Sequence, residues 1–167
     1  MRYLPLLAAL LLAAPSEVSA QIRSEEVRAT SDGAILAGTL VLPPGRRAAV
    51  VLVQGAGPHA RDQMISGAPM FAQLADDLAE RGIASVRIDN AGVGQSTGSR
   101  VEHFKQREPH ITAALDLLAA RPELAGVPLG LLGHSEGALV SMRVGAARDE
   151  TVDFLVLIGA PGRKGRD

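Results

Sequence analysis

Gly133-His134-Ser135-Glu136-Gly137 is the stretch of this chain whose residue types and spacing best suit chemistry. A serine with glycine two residues to either side can occupy a turn so sharp that its neighbours nearly touch, because glycine carries no Cβ. Leu129-Gly130-Leu131-Leu132 before it reads as a buried strand, and Ala138 to Ala147 after it reads as a helix. A strand–turn–helix context presents the serine hydroxyl at the carboxyl end of a sheet. It also aims the unpaired N–H groups of the helix N-terminus at the site, where they favour a developing oxyanion. Attack on a carbonyl is the chemistry such a serine performs.

Other segments compete less well. Gly55-Ala56-Gly57-Pro58-His59-Ala60 follows an apolar run and spells G-x-G-x-x-A, a dinucleotide-binding pattern on paper. That chemistry requires a helix opening within the glycines and an acid about twenty residues further on. Here Ala60 to Met70 reads as loop, and Asp89 stands thirty-two residues beyond Gly57. Gly92 to Thr97 lacks the lysine of a phosphate loop. The four histidines, His59, His103, His110 and His134, all precede Ser135. His59 has two readings, a solvent-exposed loop histidine or a base near the serine. His134 is expected to turn away from Ser135 and pack. His103 and His110 lack metal-ligand spacing with each other or with a carboxylate cluster. The chain has no cysteine, which excludes thiolate nucleophiles, disulfides and Cys-ligated metals. No metal and no cofactor are expected.

The elements that must position these residues follow from hydrophobic periodicity. Glu25–Thr30 and Ala34–Leu42 flank Ser31-Asp32-Gly33, which predicts an antiparallel hairpin. Ala48–Val53 is a continuous apolar run of the kind buried on both faces of a parallel sheet, Ala84–Ile88 reads as the next buried strand, and Leu129–Leu132 and Phe154–Ile158 read as further strands. Phe71, Leu74, Ala75, Leu78 and Ala79 mark one face of a helix, and Ile111, Ala114, Leu115, Leu118 and Ala119 mark another. The helix over Ala138–Ala147 is apolar nearly all round and is expected to be buried. The fold class is α/β, a mostly parallel sheet flanked by helices with an N-terminal antiparallel hairpin.

Composition narrows the rest. A length of 167 residues with 47% hydrophobic content suits one domain, and a net charge of −1 argues against nucleic-acid binding. Arg2, the apolar stretch Leu4–Ala14 and the small-residue close Val18-Ser19-Ala20 have the order of a secretory signal. The apolar stretch is too short for a membrane span, which takes about twenty residues. The expectation is a signal over residues 1–20 and a mature domain over 21–167, exported to the periplasm or beyond.

Three stretches together carry a family resemblance. Val51-Leu52-Val53-Gln54-Gly55-Ala56-Gly57-Pro58, Arg87-Ile88-Asp89-Asn90-Ala91-Gly92-Val93-Gly94-Gln95-Ser96 and Gly133 to Gly137 resemble, in order and spacing, the α/β-hydrolase family. The likeness is greatest to its bacterial esterase and serine-aminopeptidase-like branch. The resemblance implies that Ser135 is the nucleophile within the elbow glycines Gly133 and Gly137. It further implies that the backbone N–H groups of Ala56 and Glu136 form the oxyanion hole and that Asp89 is a structural anchor. Gln54 stands where many relatives have a histidine, and Ala91 where an arginine is usual. The family places acid and then histidine after the nucleophile. After Ser135 this chain offers Asp149, Asp153 and Asp167 but no histidine. The resemblance therefore implies a partial domain ending after the family's sixth strand, with Phe154–Ile158 left as an apolar edge. The function implied is hydrolysis of a small-molecule carboxylic ester, or less readily an amide, through an acyl-enzyme on Ser135. The alternative is a truncated or pseudoenzyme fragment that binds a ligand or partner without catalysis.

Overall fold

Strand pairing begins where apolar and polar residues alternate. In the computed structural model, which describes residues 21–101 and 103–162, β1 (Arg23–Ser31) and β2 (Ala34–Leu42) pair antiparallel from Arg23↔Leu42 to Ser31↔Ala34. The expected signal over 1–20 lies outside the described residues. Asp32 and Gly33 turn the chain with φ of 47° and 75°, the left-handed pair whose twist suits a two-residue hairpin. After β3 (Ala48–Val53) come the short strands β4 (Met64–Ile65) and β5 (Ala68–Pro69), then α1 (Met70–Glu80) and β6 (Ile83–Ile88). Next follow α2 (Glu108–Ala119), β7 (Leu129–His134), α3 (Glu136–Ala147) and β8 (Phe154–Ile158).

The main sheet has the order β1-β2-β6-β3-β7-β8. β3 is parallel to both β6 and β7, β7 is parallel to β8, and β2 meets β6 antiparallel. Side chains of β3 serve opposite faces in turn, as the two-residue period of a strand requires. Val50 and Leu52 pack with Phe71, Ala75 and Ala79 of α1. Val51 and Val53 pack on the other side with Ile111, Leu115 and Leu118 of α2 and Val140 and Val144 of α3. Burying an aliphatic side chain of this size stabilises by about 2 kcal/mol, so the two helical layers are held by the sheet rather than by helix propensity.

Two expectations are corrected. The segment 60–70, read as loop, holds the small β4–β5 hairpin. α3 is not buried all round, since Met142, Arg143, Ala146 and Ala147 are exposed while Ala138, Val140, Ser141 and Val144 face the sheet. Alanine reads as apolar in sequence but tolerates water, so an alanine-rich helix needs only one packed face.

Among the described residues β8 pairs only with β7 and forms one edge of the sheet. Leu155, Val156, Leu157 and Ile158 are each about two-fifths exposed. An apolar edge with unpaired N–H and C=O groups is a template for further strand pairing. The 167-residue chain is therefore expected to elute above monomer size in size-exclusion chromatography, and Val156→Lys to shift it toward monomer. A monomeric unmodified chain would show that something local covers the edge.

Candidate active site

Ser135 occupies the turn between β7 and α3 with φ 54° and ψ −119°, a backbone region that L residues rarely adopt. The glycines around it are required by contact. A Cβ on Gly133 would lie 2.4 Å from the Gly137 carbonyl oxygen, and a Cβ on Gly137 would lie 2.3 Å from the Val53 oxygen. The elbow thus presses on its own far side and on the end of β3. Its strain is tied down by the Ser135 N–H donating to the Ile158 carbonyl at 2.8 Å and by the Ser141 hydroxyl donating to the Gly137 carbonyl. Glu136 opens α3, and its N–H, like the first amides of any helix, has no partner within the helix.

Facing the elbow, the loop Gln54–Gly57 is gripped at every carbonyl. The Arg107 guanidinium donates to the Gln54 oxygen at 2.8 Å and to the Gly55 oxygen at 3.0 Å. His59 donates through Nε2 to the Ala56 oxygen at 2.7 Å, and Asn90 donates to the Gly57 oxygen at 3.0 Å. The buried Gln63 accepts from the Gly55 N–H at 2.6 Å, which fixes its amide orientation. Its Nε2 therefore donates to His134 Nδ1 at 2.9 Å, and His134 carries its neutral-ring proton on Nε2. Among the described residues the Ala56 N–H has no acceptor. The buried Gln54 amide donates to the Ile88 carbonyl. Arg107 also lies 3.5 Å from the Glu136 carboxylate. Burial pushes its guanidinium below the ordinary value, and Glu136 opposes that shift.

Asp89 anchors the floor of this loop at the end of β6. Its carboxylate accepts from the Arg61 N–H at 2.7 Å, from the Arg61 side chain at 2.9 and 3.1 Å, and from the Gln95 N–H at 2.9 Å. Burial alone would raise its pKa, but the hydrogen bonds and charge of Arg61 and the Gln95 amide outweigh it and hold it below the ordinary carboxylate value. Arg61 reaches on to Glu26 and Thr39, and its hydrogen bonds to Asp89 and then to Glu26 raise its own pKa against the opposing effect of burial. Ala91 offers this carboxylate no charge, and Arg61 from the adjoining loop meets it instead.

The site opens into a cleft of 370 Å³ lined by Ala56, Gly57, Val101, His103, Arg107 and Glu136 among others. The His59 ring is half-buried in its loop, and its Nε2 donates to the Ala56 carbonyl. His103 caps the turn before α2 and stacks on Phe104. His110 is buried in α2, and burial pushes its pKa down. Asp153 accepts from the Leu129 N–H at the opposite end of β7 from Ser135, and Asp149 lies exposed beyond α3. Among the described residues no hydrogen bond reaches the Ser135 hydroxyl, no three His, Asp or Glu side chains converge as a metal site, and no helix is long and apolar enough to cross a membrane. No helix opens between residues 55 and 60, so the glycine pattern there lacks the context of a dinucleotide site. Arg107, Gln63 and Arg61 are the residues that sequence reasoning missed.

Residues 44–165 match the serine aminopeptidase (S33) family. Esterase EstD of Thermotoga maritima is 31% identical over 142 residues, which cover 83% of this chain and 33% of the esterase. A hypothetical protein of Pseudomonas aeruginosa superposes with a TM-score of 0.71 at 24% identity, over 86% of this chain and 44% of its own. A dienelactone hydrolase from Anabaena variabilis gives 0.71 at 23% identity, over 84% of this chain and 64% of its own. The chain thus spans about a third of the esterase and about half of the structural neighbours.

The Arg61–Asp89 pair makes a pH prediction. Asp89 has a folded pKa below its unfolded value, so its contribution is fully present above the ordinary carboxylate range and is lost as pH falls through the folded value. Asp89→Asn is expected to cost about 2 kcal/mol or more at pH 7, by leaving the part-buried Arg61 with only the exposed Glu26 as charge partner. Between pH 6 and pH 3 the variant should lose less stability than the unmodified chain, read from urea unfolding at each pH. Parallel losses would show that Asp89 carries no such linkage.

Proposed function

This chain belongs to the serine aminopeptidase (S33) family of α/β hydrolases, and from that membership we propose that it carries the nucleophile and oxyanion half of a carboxylic-ester hydrolase. Ser135 Oγ attacks the ester carbonyl, and the Oγ–carbon bond forms as the carbonyl oxygen takes up negative charge. That oxygen is held by the Ala56 and Glu136 N–H groups. The alkoxide then leaves with the serine proton, and water hydrolyses the acyl-serine to free the acid. The observation that carries this reading is the strained Ser135 turn beside an Ala56 N–H free of acceptors, in a loop whose carbonyls are all engaged. The substrate is a small-molecule ester, with amides second because their leaving groups are poorer.

A specific observation also supports the second reading, a fold that binds without turning over. Each histidine of the chain is committed elsewhere or buried away from Ser135, so no general base is aligned. Incubation with an aryl acetate separates the two. The expected outcome is a single acetyl adduct by intact mass, absent in Ser135→Ala. Turnover is expected to stay at the level that oxyanion donors and binding alone sustain, about 10³- to 10⁴-fold over water. No adduct would favour the binding reading, and fast turnover abolished by Ser135→Ala would assign the base to His59.

Export is also proposed, from the order of Arg2, Leu4–Ala14 and Val18-Ser19-Ala20. Protein recovered from the periplasmic fraction of a Gram-negative expression host should begin at Gln21 by N-terminal sequencing. A chain retained in the cytoplasm with its first residues intact would contradict it.

A further inference from the structure

We propose that Arg107 is a positioning residue for acyl transfer: from behind the Gly55–Ala56 peptide it aims and polarises the Ala56 N–H toward the oxygen that gains charge at Ser135. This rests on the serine-nucleophile reading above. A trans peptide is planar, so its C=O and N–H point in opposite directions. A guanidinium that captures the Gly55 oxygen therefore also fixes the direction of the Ala56 N–H, which faces the other way.

The same guanidinium captures the Gln54 oxygen. Successive carbonyls of a strand alternate in direction, so two that converge on one side chain mark where the backbone has left strand geometry. Gln63 holds the turned-out segment from its other side through the Gly55 N–H. A charged donor on the carbonyl also draws electron density through the peptide and makes the Ala56 N–H a stronger donor. Arg107 touches the second half of the site as well, through the carboxylate of Glu136. Lysine could not replace it fully, because a point charge cannot fork across two carbonyls as a planar guanidinium does.

The arrangement is costly, which argues that packing alone does not explain it. Arg107 is 4% exposed, and its Nε is buried without a partner. Burying a cation with an orphan donor is unfavourable. The position continues the face of α2 that carries Ile111, Ala114, Leu115 and Leu118, where an apolar side chain would suit the core.

Two measurements on the full chain test the proposal. One is the ¹⁵N–¹H position of the Ala56 amide, which needs no activity. The other is the rate at which an alkyl fluorophosphonate labels Ser135, forming the Oγ–phosphorus bond as fluoride leaves with the hydroxyl proton. Arg107→Met should move the Ala56 resonance while leaving Val51 and Leu131 in place. It should slow labelling about tenfold to a hundredfold, less than the about 10²- to 10³-fold lost when an oxyanion donor is removed outright. Arg107→Lys should restore part of the rate, and Arg107→Gln serves if the methionine variant does not fold. An unmoved Ala56 resonance overturns the proposal, as does an unchanged labelling rate. Absence of labelling in the unmodified chain defeats the serine reading itself, and this proposal with it, whereas labelling that ignores Arg107 defeats this proposal alone.

Discussion

A planar peptide bond that cannot turn its two ends the same way organises this site. If the Ala56 N–H is to face a reacting carbonyl, the Gly55 oxygen must be buried on the opposite side, and a buried oxygen needs a donor. The sheet brings the parts within reach. β3 and β7 run parallel with Val53 opposite Gly133, so the loop leaving one strand and the elbow leaving the other emerge side by side. Gly137 then backs against the carbonyls of Val53 and Gln54 at a distance that admits no Cβ. With its carbonyls engaged by Arg107, His59 and Asn90, the loop holds the Ala56 N–H in one direction.

This order is held against unfavourable local terms. Ser135 and Gln63 both sit at positive φ, at 54° and 41°, and Arg107 is a nearly buried cation. Backbone positions such as those of Ser135 and Gln63 cost of order 1–3 kcal/mol each and persist only where their surroundings over-determine them. Here the surroundings are the two apolar layers about β3 and the Arg61–Asp89 pair beneath the loop. Stability is stored in the sheet and helices, and strain is concentrated where the strands end.

The division between what was legible and what was not follows the same line. Strands, helices and the elbow could be read because their signals are local: apolar runs, a 3.6-residue period, and glycines two residues either side of Ser135. Arg107 lies four residues before Ile111, just ahead of α2, and its partners are carbonyls more than fifty residues earlier in the chain. Backbone acceptors leave no trace in residue identity. Gln63 was hidden for a related reason, since its function depends on a positive φ in a segment read as plain loop. His59 was judged by its loop position, although the Ala56 carbonyl gives its ring a fixed place. Ala91 carries no charge for Asp89, and the partner that Asp89 finds, Arg61, lies twenty-eight residues earlier in the chain.

The central claim is that the Ala56 and Glu136 N–H groups converge on one oxygen held at Ser135. A crystal structure of the chain after phosphonylation tests it most directly, because the phosphonyl oxygen stands where the oxyanion of a tetrahedral intermediate would sit. The account predicts that oxygen about 2.7–3.1 Å from both nitrogens, with Arg107 still on the Gly55 carbonyl. A phosphonyl oxygen turned to solvent, or an adduct on any residue other than Ser135, would contradict it.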